Sequence, residues 1–256
     1  MPLTQSPPSM RLLLTALVAL SVAGCADSSD VEATRELPVR AEDTPEGPTG
    51  DAADLGELGS AAVETLLPDD PVHVHRVTLA AGDSLPPHGG GERVVYALTE
   101  LPALVFVTDG EREERSFDAG EVHRHDAGVH AVTNAGDAAA EFVVFERRGA
   151  LPEPVTDGDT GLGEPGEGAT DEVLLDDAFA EVHRVTLQPG AALPPHQGYA
   201  RAVYALTGYT VEFTGDDGTR EQRFEAGEAH AHAAGDHTVE NAGDTVAEFL
   251  VVEFKR

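Results

Sequence analysis

Hydrophobic and polar positions alternate along most of the chain beyond residue 63. In His75–Leu79, His75, Val77 and Leu79 fall on one face and Arg76 and Thr78 on the other, the period-two pattern of a half-buried strand. Gly82 and the Pro86-Pro87 pair break that run. Arg93–Leu98, Leu104–Val107, Val129–Thr133, Glu141–Phe145 and Thr210–Thr214 read as further strands. Residues 134–137 (NAGD) and 215–218 (GDDG) are hairpin signals that would join neighbouring strands. No segment sustains a 3.6-residue period. Short strands at even spacing predict an all-β sandwich or barrel.

The pattern is written twice. His75–Leu79 (HRVTL) returns as His183–Leu187, Leu85–His88 (LPPH) as Leu193–His196, and Tyr96–Thr99 (YALT) as Tyr204–Thr207, each 108 positions on. Phe117–Glu121 matches Phe224–Glu228 at an offset of 107, one residue having been lost in the variable hairpin between. The units span 63–149 and 171–256, and a linker rich in Pro, Gly and acid occupies 150–170.

Charge narrows the function classes. The chain carries 47 acidic and 16 basic residues, a formal net charge of −31. Nucleic-acid binding needs a basic face and is excluded; attraction to anionic lipid by charge is disfavoured. Lys255 is the single lysine, and a surface stripped of lysine and loaded with acid reads as adaptation to salt. The single cysteine, Cys25, excludes an intrachain disulfide, a zinc ribbon and a Cys-pair redox motif.

Cys25 closes an N-terminal targeting pattern. Arg11 precedes an apolar run, Leu12–Val22, too short to span a bilayer. The ending Val22–Cys25 (VAGC) resembles the lipobox of bacterial lipoproteins. That resemblance implies cleavage after residue 24, lipidation of Cys25 and a membrane partner held through acyl chains. Residues 1–24 are then a signal peptide, and 25–62, polar and acidic, a disordered tether. The expected location is the cell envelope of a salt-adapted bacterium, facing the periplasm or the surface.

Within each unit a second resemblance appears. Gly82, His88, a strand ending Tyr96-Ala97-Leu98, then Gly120, Gly128, His130 and Asn134 are similar to the two signature motifs of the cupin superfamily. Gly190, His196, Tyr204, Gly227, Gly235, His237 and Asn241 repeat them. The resemblance implies a bicupin: two tandem double-stranded β-helix barrels of jelly-roll type. It also implies a metal inside each barrel mouth, held by two His and one Glu of the first motif and one His of the second. Dimerisation is common in that family, and the residues leave a homodimer open. The chain departs from the pattern at the ligands. Gly90 and Gly198 stand where a second histidine belongs, and Arg93 and Arg201 where the glutamate belongs.

Histidine is nonetheless kept selectively. Of 11 histidines, only His73 lacks a counterpart in the other unit. His123 and His125 share one strand face. If His125 pairs directly with His130 across a four-residue loop, three imidazoles converge beside His88. The expected metal ligands are therefore His88, His123, His125 and His130, and in the second unit His196, His230, His232 and His237. Such a donor set suits Zn, Fe, Cu or Ni rather than Ca or Mg. His75 and His183 share a face with core Val and Leu, which favours a structural or supporting role. Asp126, Asn134 and Asn241 are candidate acceptors for the outer ring nitrogens. Arg93 and Arg201 could clamp a carboxylate or phosphate of a small-molecule ligand, or pair with a nearby acid. No carboxylate pair holds a repeat-matched place in the expected site, so acid–base work would fall to histidine. Three functions stay open: an anchored binder of a metal or small ligand, a metal-dependent oxygenase or isomerase, and a degenerate interaction module.

Overall fold

A computed structural model describes residues 52–68, 71–148, 162–198, 201–215, 218–232 and 235–255. The expected signal peptide, Cys25 and residues 25–51 of the expected tether lie outside the described residues, as does most of the linker. Among the described residues the chain is built of strands, with one short 3-10 turn at Leu55–Glu57.

The first unit holds β1 (Val63–Leu67), β2 (Val72–Leu79), β3 (Ser84–His88), β4 (Arg93–Ala97), β5 (Leu101–Thr108), β6 (Glu111–Phe117), β7 (Val122–His125), β8 (His130–Asn134) and β9 (Ala140–Arg147). They form two facing antiparallel sheets in the orders β1-β2-β9-β4-β7 and β3-β8-β5-β6. The second unit repeats this with β10 (Ala169–Asp176), β11 (Ala180–Leu187), β12 (Ala192–Gly198), β13 (Arg201–Ala205), β14 (Tyr209–Gly215), β15 (Gly218–Phe224), β16 (Ala229–His232), β17 (Gly235–Asn241) and β18 (Ala247–Phe254). Its sheets run β10-β11-β18-β13-β16 and β12-β17-β14-β15. Two jelly-roll barrels result, as the resemblance implies; the alternation alone predicts an all-β sandwich or barrel.

Two turns play a different part from the one expected. The 134–137 turn does not close a hairpin, because β8 and β9 lie in different sheets. It carries the chain from one sheet to the other. Asn134 locks that crossing, its side-chain amide donating to the carbonyls of Leu79 and Ala138 while its oxygen accepts from the Gly136 amide. Asn241 does the same with Leu187, Thr245 and Gly243. These asparagines are turn locks, not partners of the histidines. The 215–218 signal does close a hairpin, with Gly215 paired to Gly218.

The central strands of each five-stranded sheet are buried on both faces. Inner-face residues such as Val77, Val95 and Val144 pack into the first barrel's core. Outer-face residues of the two sheets pack on each other, with Val94 and Phe145 joined in one cluster to Val182, Leu250 and Phe254. This explains why β4 and β13 are buried at every position, and why Tyr96 and Tyr204 point outward, away from Arg93 and Arg201. The seam is reciprocal. Arg76 donates to the Gly227 carbonyl at 3.0 Å and lies against the Tyr204 hydroxyl, and its counterpart Arg184 lies against Tyr96.

The ordered part of each unit begins earlier than the alternation suggests. Residues 52–62, assigned by composition to the tether, pack on the first barrel, with Leu55 in its core. Leu162, from the linker, is in the core of the second.

Candidate metal centre

The inward positions of the strands build the site. On β4, Arg93 stands in register with His125 of β7 on one side and Glu146 of β9 on the other. Two residues along, Val95 stands between His123 and Val144. Across the barrel, His88 of β3 is paired with His130 of β8. His125 and His130 are therefore not paired in one ladder, as the hairpin reading required. Residues 126–129 cross between the sheets, and the two rings meet over the barrel interior instead.

All four imidazoles nevertheless come together. Ring centroids lie 4.6 Å apart for His88–His130, 5.4 Å for His130–His125 and 4.9 Å for His125–His123. The second barrel gives 4.4 Å for His196–His237, 5.7 Å for His237–His232 and 4.8 Å for His232–His230. At the inner end His123 stacks on Phe117 and His230 on Phe224, each at 3.9 Å. Each barrel thus holds a ladder of four imidazoles with the same spacing.

These rings are neutral. Burial lowers the pKa to about 4 for His88 and His125, about 3 for His123 and about 2 for His130. In the second barrel burial brings His196 and His230 to about 4 and His232 to about 2, and lowers His237 as well. Nδ1 of His88 faces the Pro86 carbonyl at 2.9 Å, and Nδ1 of His196 faces the Pro194 carbonyl at 2.8 Å. A carbonyl can only accept, so Nδ1 carries the proton and Nε2 keeps its lone pair. A backbone carbonyl holding the outer nitrogen is the usual support of a metal-bound imidazole. Nδ1 of His123 and Nδ1 of His230 are buried with no hydrogen-bond partner.

Arg93 and Arg201 are buried at the same level, and a carboxylate opposes each. Arg201 pairs with Glu253 at 3.1 Å. Arg93 feels the charge of Glu146, which also accepts the Gly91 amide at 2.6 Å and pairs with Arg148. An anionic ligand would have to compete with these glutamates. Glu146 and Glu253 occupy matching places, so each barrel holds one repeat-matched carboxylate beside its histidines. Sequence reading missed it, although the offset of 107 relates the two residues. Asp126 pairs with Arg124 at the surface rather than holding a ring.

His75 and His183 lie outside the ladders, and their surroundings differ. His75 contacts Thr65 through Nδ1 at 3.1 Å, while its Nε2 is buried without a partner. Burial lowers its pKa to about 4. His183 lies between Asp171 at 2.8 Å and Glu181 at 3.0 Å. Burial opposes charge there too, but the two carboxylates outweigh it and raise the pKa. Glu181 stands where the first barrel has His73.

No protein-family model matches the chain, and no curated protein matches it. Solved structures do. Oxalate decarboxylase of Lactobacillus farciminis, in a formate complex, superposes with a TM-score of 0.58 at 14% identity, covering 83% of this chain and 88% of that one. Oxalate decarboxylase of Bacillus subtilis, with Mn(II) centres, gives 0.55 at 15% identity over 83% and 79%. AerE from Microcystis aeruginosa gives 0.52 at 13% identity over 76% and 98%. The fold is that of a bicupin. At these identities the likeness speaks for the fold alone.

The donor set that the cupin resemblance implies does not fit this chain, which has Gly90 and Arg93 at the sequence places of its second histidine and its glutamate. The imidazole set does fit in its chemistry: uncharged, buried and, at His88 and His196, fixed in one tautomer. Two rings on one tetrahedral metal have centroids about 5 Å apart, given metal–nitrogen bonds of about 2 Å, and the observed spacings bracket that. Among the described residues no three His, Cys, Asp or Glu are set to hold an ion as they stand. His125 and His130 stack at 22°, His232 and His237 at 10°. Ligation would therefore take at least a rotation of these rings.

The pH dependence follows from burial. Unfolded, these histidines titrate near 6.5. Folded, they resist protonation to about pH 4, so the unfolded state binds more protons between those values and stability falls as pH drops. Each group shifted to about 4 should cost on the order of 2–3 kcal/mol by pH 4. His183 runs the other way: its contribution is present below the unfolded pKa and is lost as pH rises through the folded one. Nitrogen-resolved NMR at pH 5 should show neutral rings at His125, His130 and His232 and an imidazolium at His183. An imidazolium at His125 or His130 would contradict this account.

Proposed function

We propose that the protein is an envelope-anchored bicupin that binds a transition metal in each barrel through imidazole alone and does not turn over an organic substrate. His88, His125 and His130 would hold the ion in the first barrel and His196, His232 and His237 in the second. His123 and His230 would be the fourth imidazole of each set. The reading rests above all on the two ladders, which agree in every spacing to within 0.3 Å although the loops beside them have diverged. Duplicate geometry around neutral rings, tautomer-fixed at His88 and His196, is what a shared ligand would preserve. Imidazole without carboxylate suits Zn, Cu, Ni or Fe(II) and is a poor set for Mn(II). The absence of turnover is favoured by space. The cavities beside the ladders measure about 20 and 30 Å³, room for a water-sized group, whereas sites for organic ligands usually span several hundred Å³.

Chain purified in high salt without chelator or His tag should carry two metal equivalents. His88→Ala should lower this to one, and His88→Ala with His196→Ala to none; unchanged stoichiometry in the double variant would refute the sites. The anchor forms part of the same proposal, with Cys25 lipidated and the acidic segment after it spacing the barrels from the membrane. Cys25→Ser should shift the protein from the membrane pellet to the soluble fraction, and retention in the pellet would count against lipidation there.

A further inference from the structure

Before each barrel the chain carries the same short phrase. Leu55-Gly56-Glu57 and Leu162-Gly163-Glu164 are related by the offset of 107 that relates the later histidines. Both leucines are only 2% exposed, each belongs to the core of its own barrel, and each lines the cavity that the imidazoles line. The segments are strapped to the strands that carry His88 and His196. The Gly89 amide donates to the Ala53 carbonyl at 2.9 Å, and Arg148 holds Asp54 in an ion pair. Gly163 rests on the ring of Pro194, whose carbonyl holds His196. The glycine of each phrase is required by this closeness. A Cβ at Gly56 would stand 2.8 Å from the His75 ring, and one at Gly163 would stand 2.8 Å from Pro194 on a backbone with φ +75.

We infer that Leu55 and Leu162 are built-in plugs that set the size of what reaches the imidazoles. Water-sized species pass, and an organic molecule enters only if the segment is lifted. The inference rests on the ladders being the binding sites and adds what they admit. Glu146 and Glu253 are already committed to arginine, so a divalent ion on neutral rings leaves buried positive charge that a small anion would offset. The space left beside each leucine is of that size.

The test uses metal-free full-length protein and diethyl pyrocarbonate, a reagent larger than water that acylates neutral imidazole, with labelling read residue by residue by mass spectrometry. In the native protein both ladders should react slowly. Leu55→Ala should speed labelling of His88, His125 and His130 at least tenfold and leave His196, His232 and His237 at the native rate; Leu162→Ala should do the reverse. Gly56→Ala and Gly163→Ala should give the same two patterns by pushing the segment off without shortening the plug. These variants decide the matter if a leucine variant fails to fold. Native ladders that react at the rate of an exposed histidine, or glycine and leucine variants that leave both ladders within twofold of native, would overturn the inference. The outcome is independent of metal content, so loss of the metal reading and loss of the plug are separate results.

Discussion

The structure depends on five-stranded sheets whose central strands bury both faces. Alternation sends Val94, Tyr96 and Phe145 outward, where they join the two barrels into one apolar cluster. It sends Arg93 and Val95 inward, beside His125 and His123. A one-residue slip of β4 would bury Arg93 in the seam and turn Tyr96 into the barrel. The assembly of the barrels and the placement of the imidazoles are thus set by one register. The seam and the ladder cannot be altered independently along β4 or β13.

Burial also fixes the chemistry. An imidazole in water is half charged near pH 6.5, and four charged rings within contact distance would repel one another. Inside the barrel the desolvation cost removes the charge and leaves neutral rings. The same physics gives the opposite result at His183, where two carboxylates outweigh burial. The barrels share a ladder but differ at the edge of the sheet, where His73 and Thr65 are replaced by Glu181 and Val173.

Much of this was legible in the sequence. The repeat and the strand periodicity follow from spacing and alternation alone. Convergence of His88, His123, His125 and His130 was reached by a wrong route, a hairpin between His125 and His130. Period-two reasoning fixes which face a residue takes but not which sheet its strand joins. In a jelly roll the chain changes sheets at tight turns, and nothing local in residues 126–129 distinguishes that crossing from a hairpin. Glu146 went unseen because its importance comes from its cross-strand neighbour Arg93, 53 residues away in sequence. Leu55 and Leu162 were masked by acidic, glycine-rich surroundings that read as linker.

The proposal turns on each barrel holding its metal through imidazole alone. X-ray absorption at the edge of the bound metal in full-length protein tests it most directly. The proposal predicts the outer-shell scattering of three or more imidazoles at each ion, with at most one water or small anion completing the shell. A shell containing carboxylate oxygen, or fewer than two imidazoles, would contradict it.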